Sequence, residues 1–432
     1  MNVLKYVCEA GEKDCSNQYK AYGNAYTIWT LIMMVSVLPI GLILDKVSIK
    51  LSKAINVICT LIGAILQAFI FEQTSNIYYI GGIFTGVGAI TSLMTSITIS
   101  NFFPYYPGLA IGLVAGAWDS STAILPIFAK TYESGFSLQT SFLILAAFGF
   151  ATGTFLTLFI YSNKQSEMVA HSRPKVDSNI PIDFQDETEE RISLNELPEI
   201  DYSTHIGEYK NERYATLKKS ILSVPFILNL LFYTIGYFRF SFFFAVIPSV
   251  LEKKLPNDKN ELLTNLSYFL ISGLLLAPVN GVFYDRCSRV LRRSLERLAK
   301  TQAESVSLKE KLYFNSVLNC LPGILIIITT TLIYSGCIFA QTKEGIYTSF
   351  FFLLIKREFF FLNNSIFIRT AFRNEDFGTL YGLTNMLAGI FSLINLGLQE
   401  LNPDIGNGVA IGLSSLMFIL PIYMIMKAKV LK

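Results

Sequence analysis

An all-α, polytopic membrane protein is the fold class this sequence predicts, on three observations. Hydrophobic residues make up 52% of the 432 and charged ones 16%, with 35 Phe and 22 Tyr, a composition of the membrane class. Apolar runs of about 20 residues recur along the whole length, long enough to cross a hydrocarbon core of about 30 Å as helix. Open strands cannot do this, because their unpaired backbone groups would face lipid. The third observation is a phrase that occurs twice, 240 residues apart: Gly41-Leu-Ile-Leu-Asp45-Lys46 and Gly281-Val-Phe-Tyr-Asp285-Arg286, each with a proline just upstream, Pro39 and Pro278.

The runs predict eleven spans, near 25–44, 54–71, 77–100, 108–129, 139–161, 221–250, 262–284, 313–340, 345–368, 378–399 and 407–427. Five fall in a first bundle, 25–161, and six in a second, 220–432. Residues 1–24 read as an outer loop. Residues 162–219 read as a polar linker with an acidic patch at Asp186, Glu187, Glu189 and Glu190, charged enough to expect partial disorder. A net charge of +3 says little about partners, but its distribution says more. Loops rich in Lys and Arg (Lys46 to Lys53, Arg286 to Lys311, and the tail Lys427 to Lys432) alternate with acidic or neutral ones. The positive-inside rule makes the basic set cytoplasmic, with the C-terminus inside and residues 1–24 outside. Cys8 and Cys15 then lie on the oxidising side, where they form either one disulfide or two free thiols. Leu291, Leu295 and Leu298 fall at helical spacing among arginines, which predicts a basic amphipathic helix on the inner leaflet.

A repeated Gly-x-x-x-Asp-[Lys/Arg] at a span edge is the mark of a duplicated transporter. A second echo agrees: Gly108-x-x-x-Gly112-Leu113 in one half and Gly378-x-x-x-Gly382-Leu383 in the other. Small residues four apart let helix backbones approach closely in lipid. The phrase therefore predicts a pair of latches, Gly41, Asp45 and Lys46 in one copy, Gly281, Asp285 and Arg286 in the other. Asp45 is expected against the positive start of the helix opening near Gly378, and Asp285 against the one opening near Gly108.

Charges inside spans are costly and normally face a cavity or a partner. Asp119, Arg239 and the run Lys356-Arg357-Glu358 are the exceptions here. Successive residues on a helix turn by about 100°, so the three of that run cannot share one cavity. Asp119 with Ser120 and Ser121, Arg239, Arg357 and Asn364 are the candidate cavity residues. Tyr233, Tyr237, Phe242, Phe359 and Phe360 are candidates for its aromatic wall. Catalysis has little support: the two histidines, His171 and His205, lie in the linker, and no metal-ligand spacing or Walker loop is present. No cofactor, metal or nucleic acid is expected; the partners are a small-molecule solute and the bilayer.

Several segments resemble the major facilitator superfamily and, within it, the solute carrier family 43 branch. They are Gly116-Ala-Trp-Asp119-Ser-Ser121, Lys130-x-Tyr-Glu-x-Gly135-x-Ser137, Phe238-Arg239-Phe240 with Phe243 to Val246, Ala277-Pro278-Val-x-Gly281, and Phe377-Gly378-x-Leu-x-Gly382-Leu383. The resemblance implies twelve helices in two bundles that rock about a midplane site. Counted that way, eleven spans leave the first helix missing, and residues 1–24 resemble the loop that follows it. It also implies a facilitative carrier in the plasma membrane, of large neutral amino acids first and purine nucleobases second. A non-transporting receptor or scaffold that signals through the linker is the alternative from another class.

Overall fold

The computed structural model describes residues 16–70, 77–103, 106–121, 124–161, 202–301 and 306–430, and they are almost entirely helical. Cys8, Cys15 and most of the linker lie outside the described residues.

The first half holds α1 (Ser16–Lys46), α2 (Ile49–Ala68), α3 (Ile77–Ile97), α4 (Pro107–Ser120), α5 (Ile124–Glu133) and α6 (Leu138–Phe159). Helix α1 corrects one expectation. Its described residues are helical from Ser16, inside the stretch read as loop. Two short helices, α7 (Tyr202–Arg213) and α8 (Leu217–Ile221), precede the second half. They replace the end of the expected disordered linker with ordered structure.

The second half runs through α9 (Val224–Lys254), α10 (Lys259–Ile271), α11 (Gly273–Thr301), α12 (Val306–Val317), α13 (Leu321–Cys337), α14 (Lys343–Ala371), α15 (Phe377–Phe391), α16 (Ile394–Gln399), α17 (Pro403–Ser414) and α18 (Ile419–Val430). Helix starts carry the expected signals. The Ser223 hydroxyl accepts from Phe226 N ahead of α9, with Pro225 in the first turn, and the Thr342 hydroxyl accepts from Gly345 N ahead of α14.

Among the described residues, nine helical stretches are long and apolar enough to cross a membrane. The two other expected spans explain themselves. The apolar stretch Gly108–Trp118 is short, and residues 122 and 123 of its span lie outside the described residues. Helix α14 has 29 residues, about 43 Å at 1.5 Å per residue, but carries Lys356, Arg357 and Glu358 in its middle.

Two crossings join the halves: α1 lies along α15, and α11 lies along α4. The amphipathic segment around Leu295 does not lie free on a leaflet. Helix α11 runs on to Thr301, and Leu295 is buried with Leu308 and Leu312 of α12 and Ile206 of α7. Those leucines meet apolar partners from the same chain, which satisfies their burial without lipid.

Candidate functional site

Each crossing is built the same way. Gly41 of α1 meets Gly378 of α15 so closely that a Cβ on Gly41 would sit 2.1 Å from the Gly378 carbonyl oxygen. A Cβ on Gly281 of α11 would sit 2.4 Å from Leu109 Cα of α4. Further along, a Cβ on Gly382 would approach Leu38 Cα to 2.6 Å, and one on Gly112 would approach the Ala277 carbonyl to 2.8 Å. Hydrogen is the largest substituent that fits, so both glycine pairs are required by backbone approach.

That approach places each phrase's carboxylate on a helix start. Asp45 Oδ1 accepts from Gly378 N at 2.9 Å, and its Oδ2 accepts from Thr379 N at 2.6 Å and from the Thr379 hydroxyl at 2.8 Å. Asp285 Oδ1 accepts from Gly108 N and Oδ2 from Leu109 N, both at 2.9 Å. The first amides of a helix have no partner of their own, and the helix dipole favours an anion there. Lys46 and Arg286 are exposed beside these contacts.

A third tie was not foreseen. Arg369, near the end of α14, donates from Nη1 to the Ser100 hydroxyl at 2.8 Å and from Nη2 to the Ile97 carbonyl at 3.4 Å, reaching from the second half into the first. Its guanidinium lies 4.5 Å from the Phe377 ring centroid. Lys210 of α7 donates to the Arg369 carbonyl at 3.0 Å, so the short helix before the second half grips the same point. The three ties lie toward the face that carries the basic loops. The sequence offered a faint signal for Arg369: one arginine in the last turn of a span, beside the paired Gly378 motif.

Away from this face a cavity of about 320 Å³ lies between the halves. Helix α1 contributes Tyr26, Thr30, Met33 and Met34; α3 contributes Ile90 and Leu93; α4 contributes Trp118. From the second half come Tyr237, Phe240 and Phe244 of α9, Leu270 of α10, Arg357 and Phe361 of α14, and Tyr381 and Asn385 of α15. Along α1, Met34 stands about 16 Å and Tyr26 about 28 Å above Asp45 at 1.5 Å per residue, which places the cavity at mid-membrane and beyond. On the latch side, Leu93, Trp118, Arg357, Phe361 and Tyr381 also border a void of only about 10 Å³. Those five side chains form the cavity floor.

The candidate residues divide sharply. Arg357 lines the cavity and is the one charged side chain among the described lining residues. Its two neighbours in sequence point elsewhere, as helical rotation requires. Lys356 is fully buried, donates to the Gly236 carbonyl at 2.9 Å and lies 3.9 Å from the Phe360 ring centroid. Glu358 is buried beside Gly273, the first residue of α11.

Arg239 is buried inside the second half rather than on the cavity wall. Its Nε donates to the Ser335 hydroxyl at 2.8 Å, and its guanidinium lies 5.1 Å from the Tyr334 ring centroid. Asn364 accepts from Asn229 at 3.0 Å and ties α9 to α14. The Ser120 and Ser121 hydroxyls donate to carbonyls of their own helix turn, those of Ala117 and Trp118. Asp119 belongs to α4, and its side chain lies outside the described residues.

Of the expected aromatic wall, Tyr237 alone is on the cavity. Tyr233 stacks on Phe360 at 4.6 Å between ring centroids, Phe359 packs against Phe283, and Phe242 packs against Phe238. The wall instead comes from Tyr26, Trp118, Phe240, Phe244, Phe361 and Tyr381.

Comparison with known proteins agrees with this architecture. The Major Facilitator Superfamily model matches residues 16–395. The chain is 22% identical over 397 residues to equilibrative nucleobase transporter 1 of Bos taurus, which covers 90% of this chain and 79% of that one. It is 23% identical over 124 residues to the human large neutral amino acids transporter small subunit 3, covering 28% of this chain and 22% of that one. Among solved structures, a human organic anion transporter, TETRAN, superposes with a TM-score of 0.55 at 9% identity, over 96% of this chain and 86% of its own. An outward-facing bacterial homologue of the iron transporter ferroportin superposes with a TM-score of 0.54 at 13% identity, over 95% and 91%. This chain is an integral, multi-pass membrane transporter, and it belongs to the major facilitator superfamily.

Proposed function

We propose that the chain is a facilitative carrier of a small, neutral, planar solute, with purine nucleobases ahead of large neutral amino acids. One observation supports that order: the described cavity wall is aromatic from both halves and holds one cation and no carboxylate. A zwitterionic amino acid brings an ammonium group that needs an anion or several carbonyls on leaving water. A purine needs flat apolar faces and in-plane hydrogen-bond donors. Trp118, Phe240 and Phe361 offer the first, and the guanidinium of Arg357 offers donors to the ring-nitrogen acceptors of a purine. The nucleobase carrier that aligns over 90% of this chain points the same way.

The amino-acid reading keeps one observation in its favour. Arg357 would hold a substrate carboxylate as well as it holds a purine edge. In either reading the two bundles, 25–161 and 220–432, rock about the cavity, with Asp45, Asp285 and Arg369 made in the state closed on the basic face. The positive-inside rule makes that face cytoplasmic, with the C-terminus on the same side, and we assign the carrier to the plasma membrane.

Labelled adenine and labelled leucine uptake, measured in cells deficient in both activities, tests the order. Saturable adenine uptake, displaced by unlabelled purines and not by leucine, supports the nucleobase reading. Leucine uptake alone would reverse the two. Movement of neither, with the protein at the cell surface, would favour a receptor or scaffold.

A further inference from the structure

Beside the latch face, the structure holds a second recess, lined by none of the residues that line the cavity between the halves. Its volume is about 560 Å³, and it sits where α7 and α8 lead into the span α9. Arg213, Lys218 and Lys219 supply three cations to its wall, and Thr216 and Ser223 supply hydroxyls. Lys218 and Lys219 are exposed, and neither pairs with a carboxylate among the described residues. Arg213 is held in place from behind, donating to the Tyr209 hydroxyl at 2.6 Å and lying 4.0 Å from Glu310. The acids of the adjoining turn, Glu375 and Asp376, are taken by Arg373, which also reaches the Ala215 carbonyl at 3.4 Å. Among the described residues, Lys218 and Lys219 therefore keep their charge unneutralised.

Its upper edge is apolar. Leu222 lines the recess and is 64% exposed, and Val224 and Ile227 continue upward from it, 52% and 47% exposed on the outside of α9. Exposed apolar residues at the start of a membrane span face acyl chains. A molecule filling both parts carries a polyanionic head in the plane of the membrane surface and a hydrocarbon tail directly above it.

We infer that this recess binds an anionic phospholipid, with its phosphate-bearing head against Arg213, Lys218 and Lys219 and its chains along Leu222, Val224 and Ile227. A freely diffusing phosphate would use the cations but not the apolar edge. Basic recesses beside a span gain about 1 kcal/mol per Lys or Arg near an anionic surface, so removing two lysines lowers retention roughly 30-fold. Tyr214 adds a consequence. It lines the recess while its hydroxyl bonds that of Tyr313 at 2.8 Å, and Tyr313 donates to the Ala371 carbonyl at 3.0 Å. A lipid in the recess would brace the end of α14, where Arg369 closes the latch face.

The test uses the full chain in phosphatidylcholine nanodiscs doped with phosphatidylserine or a phosphorylated phosphatidylinositol. Lipid retained after detergent exchange is read by native mass spectrometry. The wild type is expected to keep an anionic lipid, and the Lys218→Gln/Lys219→Gln pair to lose it at least tenfold. Melting of the pair in pure phosphatidylcholine shows whether the fold is intact. Should the pair not fold, wild-type discrimination between anionic and zwitterionic lipid decides the question. Equal retention by wild type and variant, or equal capture of phosphatidylcholine by the wild type, overturns the proposal. Binding of soluble inositol phosphate as tightly as the lipid overturns it in favour of an aqueous anion.

Discussion

Asp45 spans the first turn of the helix that opens at Gly378, receiving three hydrogen bonds where the equivalent Asp285 receives two. The extra donor is the Thr379 hydroxyl; the matching residue at the other crossing, Leu109, has none. The two contacts share a geometry but differ by one donor. Hydrogen bonds to a charged group contribute about 1.5–3 kcal/mol each, so the difference is measurable.

Asp45→Asn and Asp285→Asn are both expected to open the latch face. An amide oxygen accepts less strongly than a carboxylate, and its NH2 opposes a donor. Cysteine labelling or spin-label distances across that face should show the open population rising about 10- to 100-fold, more for Asp45→Asn. Thr379→Val should bring the Asp45 latch down to the level of the Asp285 one. An unchanged face in all three variants removes the latch role.

Glycine substitutions separate close approach from general helix effects. Gly41→Ala and Gly281→Ala put a methyl inside a backbone contact and should prevent closure with the protein still inserted. Gly149→Ala and Gly408→Ala meet nothing within 4 Å and should leave closure and uptake unchanged.

Arg357 and Arg239 are predicted to behave oppositely. Arg357→Gln should raise KM for the transported solute about 10- to 100-fold at normal expression, because it removes a cation from the cavity wall. Arg239→Met should leave KM unchanged and stability equal or higher. Among the described residues Nη1 and Nη2 of Arg239 have no hydrogen-bond partner, and an apolar side chain of similar size avoids burying that charge. Uptake kinetics paired with thermal melting distinguish the two.

Lys210 gives the docking of α7 a pH dependence. Burial lowers its ammonium to about 8, from an ordinary value near 10.5. Between those values the undocked helix binds more protons than the docked one, so docking tightens as pH rises through the window. Below about pH 8 both states are protonated and the full penalty of burying the charge remains. Protease cleavage within 202–213 should slow between pH 7.5 and 9.5 after correction for enzyme activity. Lys210→Met should flatten that profile.

The latch contacts were legible in the sequence because glycine and aspartate at fixed spacing leave few alternatives. The cavity wall was not. Helix α9 is aromatic at Tyr233, Tyr237, Phe238, Phe240, Phe242, Phe243 and Phe244 and is buried on nearly every face. A helix apolar all round has no hydrophobic contrast to give its rotation. Tyr233 and Phe242 were therefore as plausible as Phe240 until the neighbouring helices were in place. Asn364 misled for a related reason: its partner, Asn229, lies 135 residues away, and no spacing rule links them. The chain of contacts from Lys210 through Arg369 to Ser100 joins three distant segments, and only Arg369, in the last turn of its span, left a faint sign in the sequence.

The function proposed is passive carriage of planar neutral solutes through the Arg357 cavity. Adenine uptake into proteoliposomes holding the purified full chain, with no ion gradient, tests it most directly. Saturable entry that stops when inside and outside concentrations are equal is expected, with KM raised in Arg357→Gln. Uptake no faster than in protein-free liposomes, or accumulation above the outside concentration when a proton gradient is imposed, would contradict it.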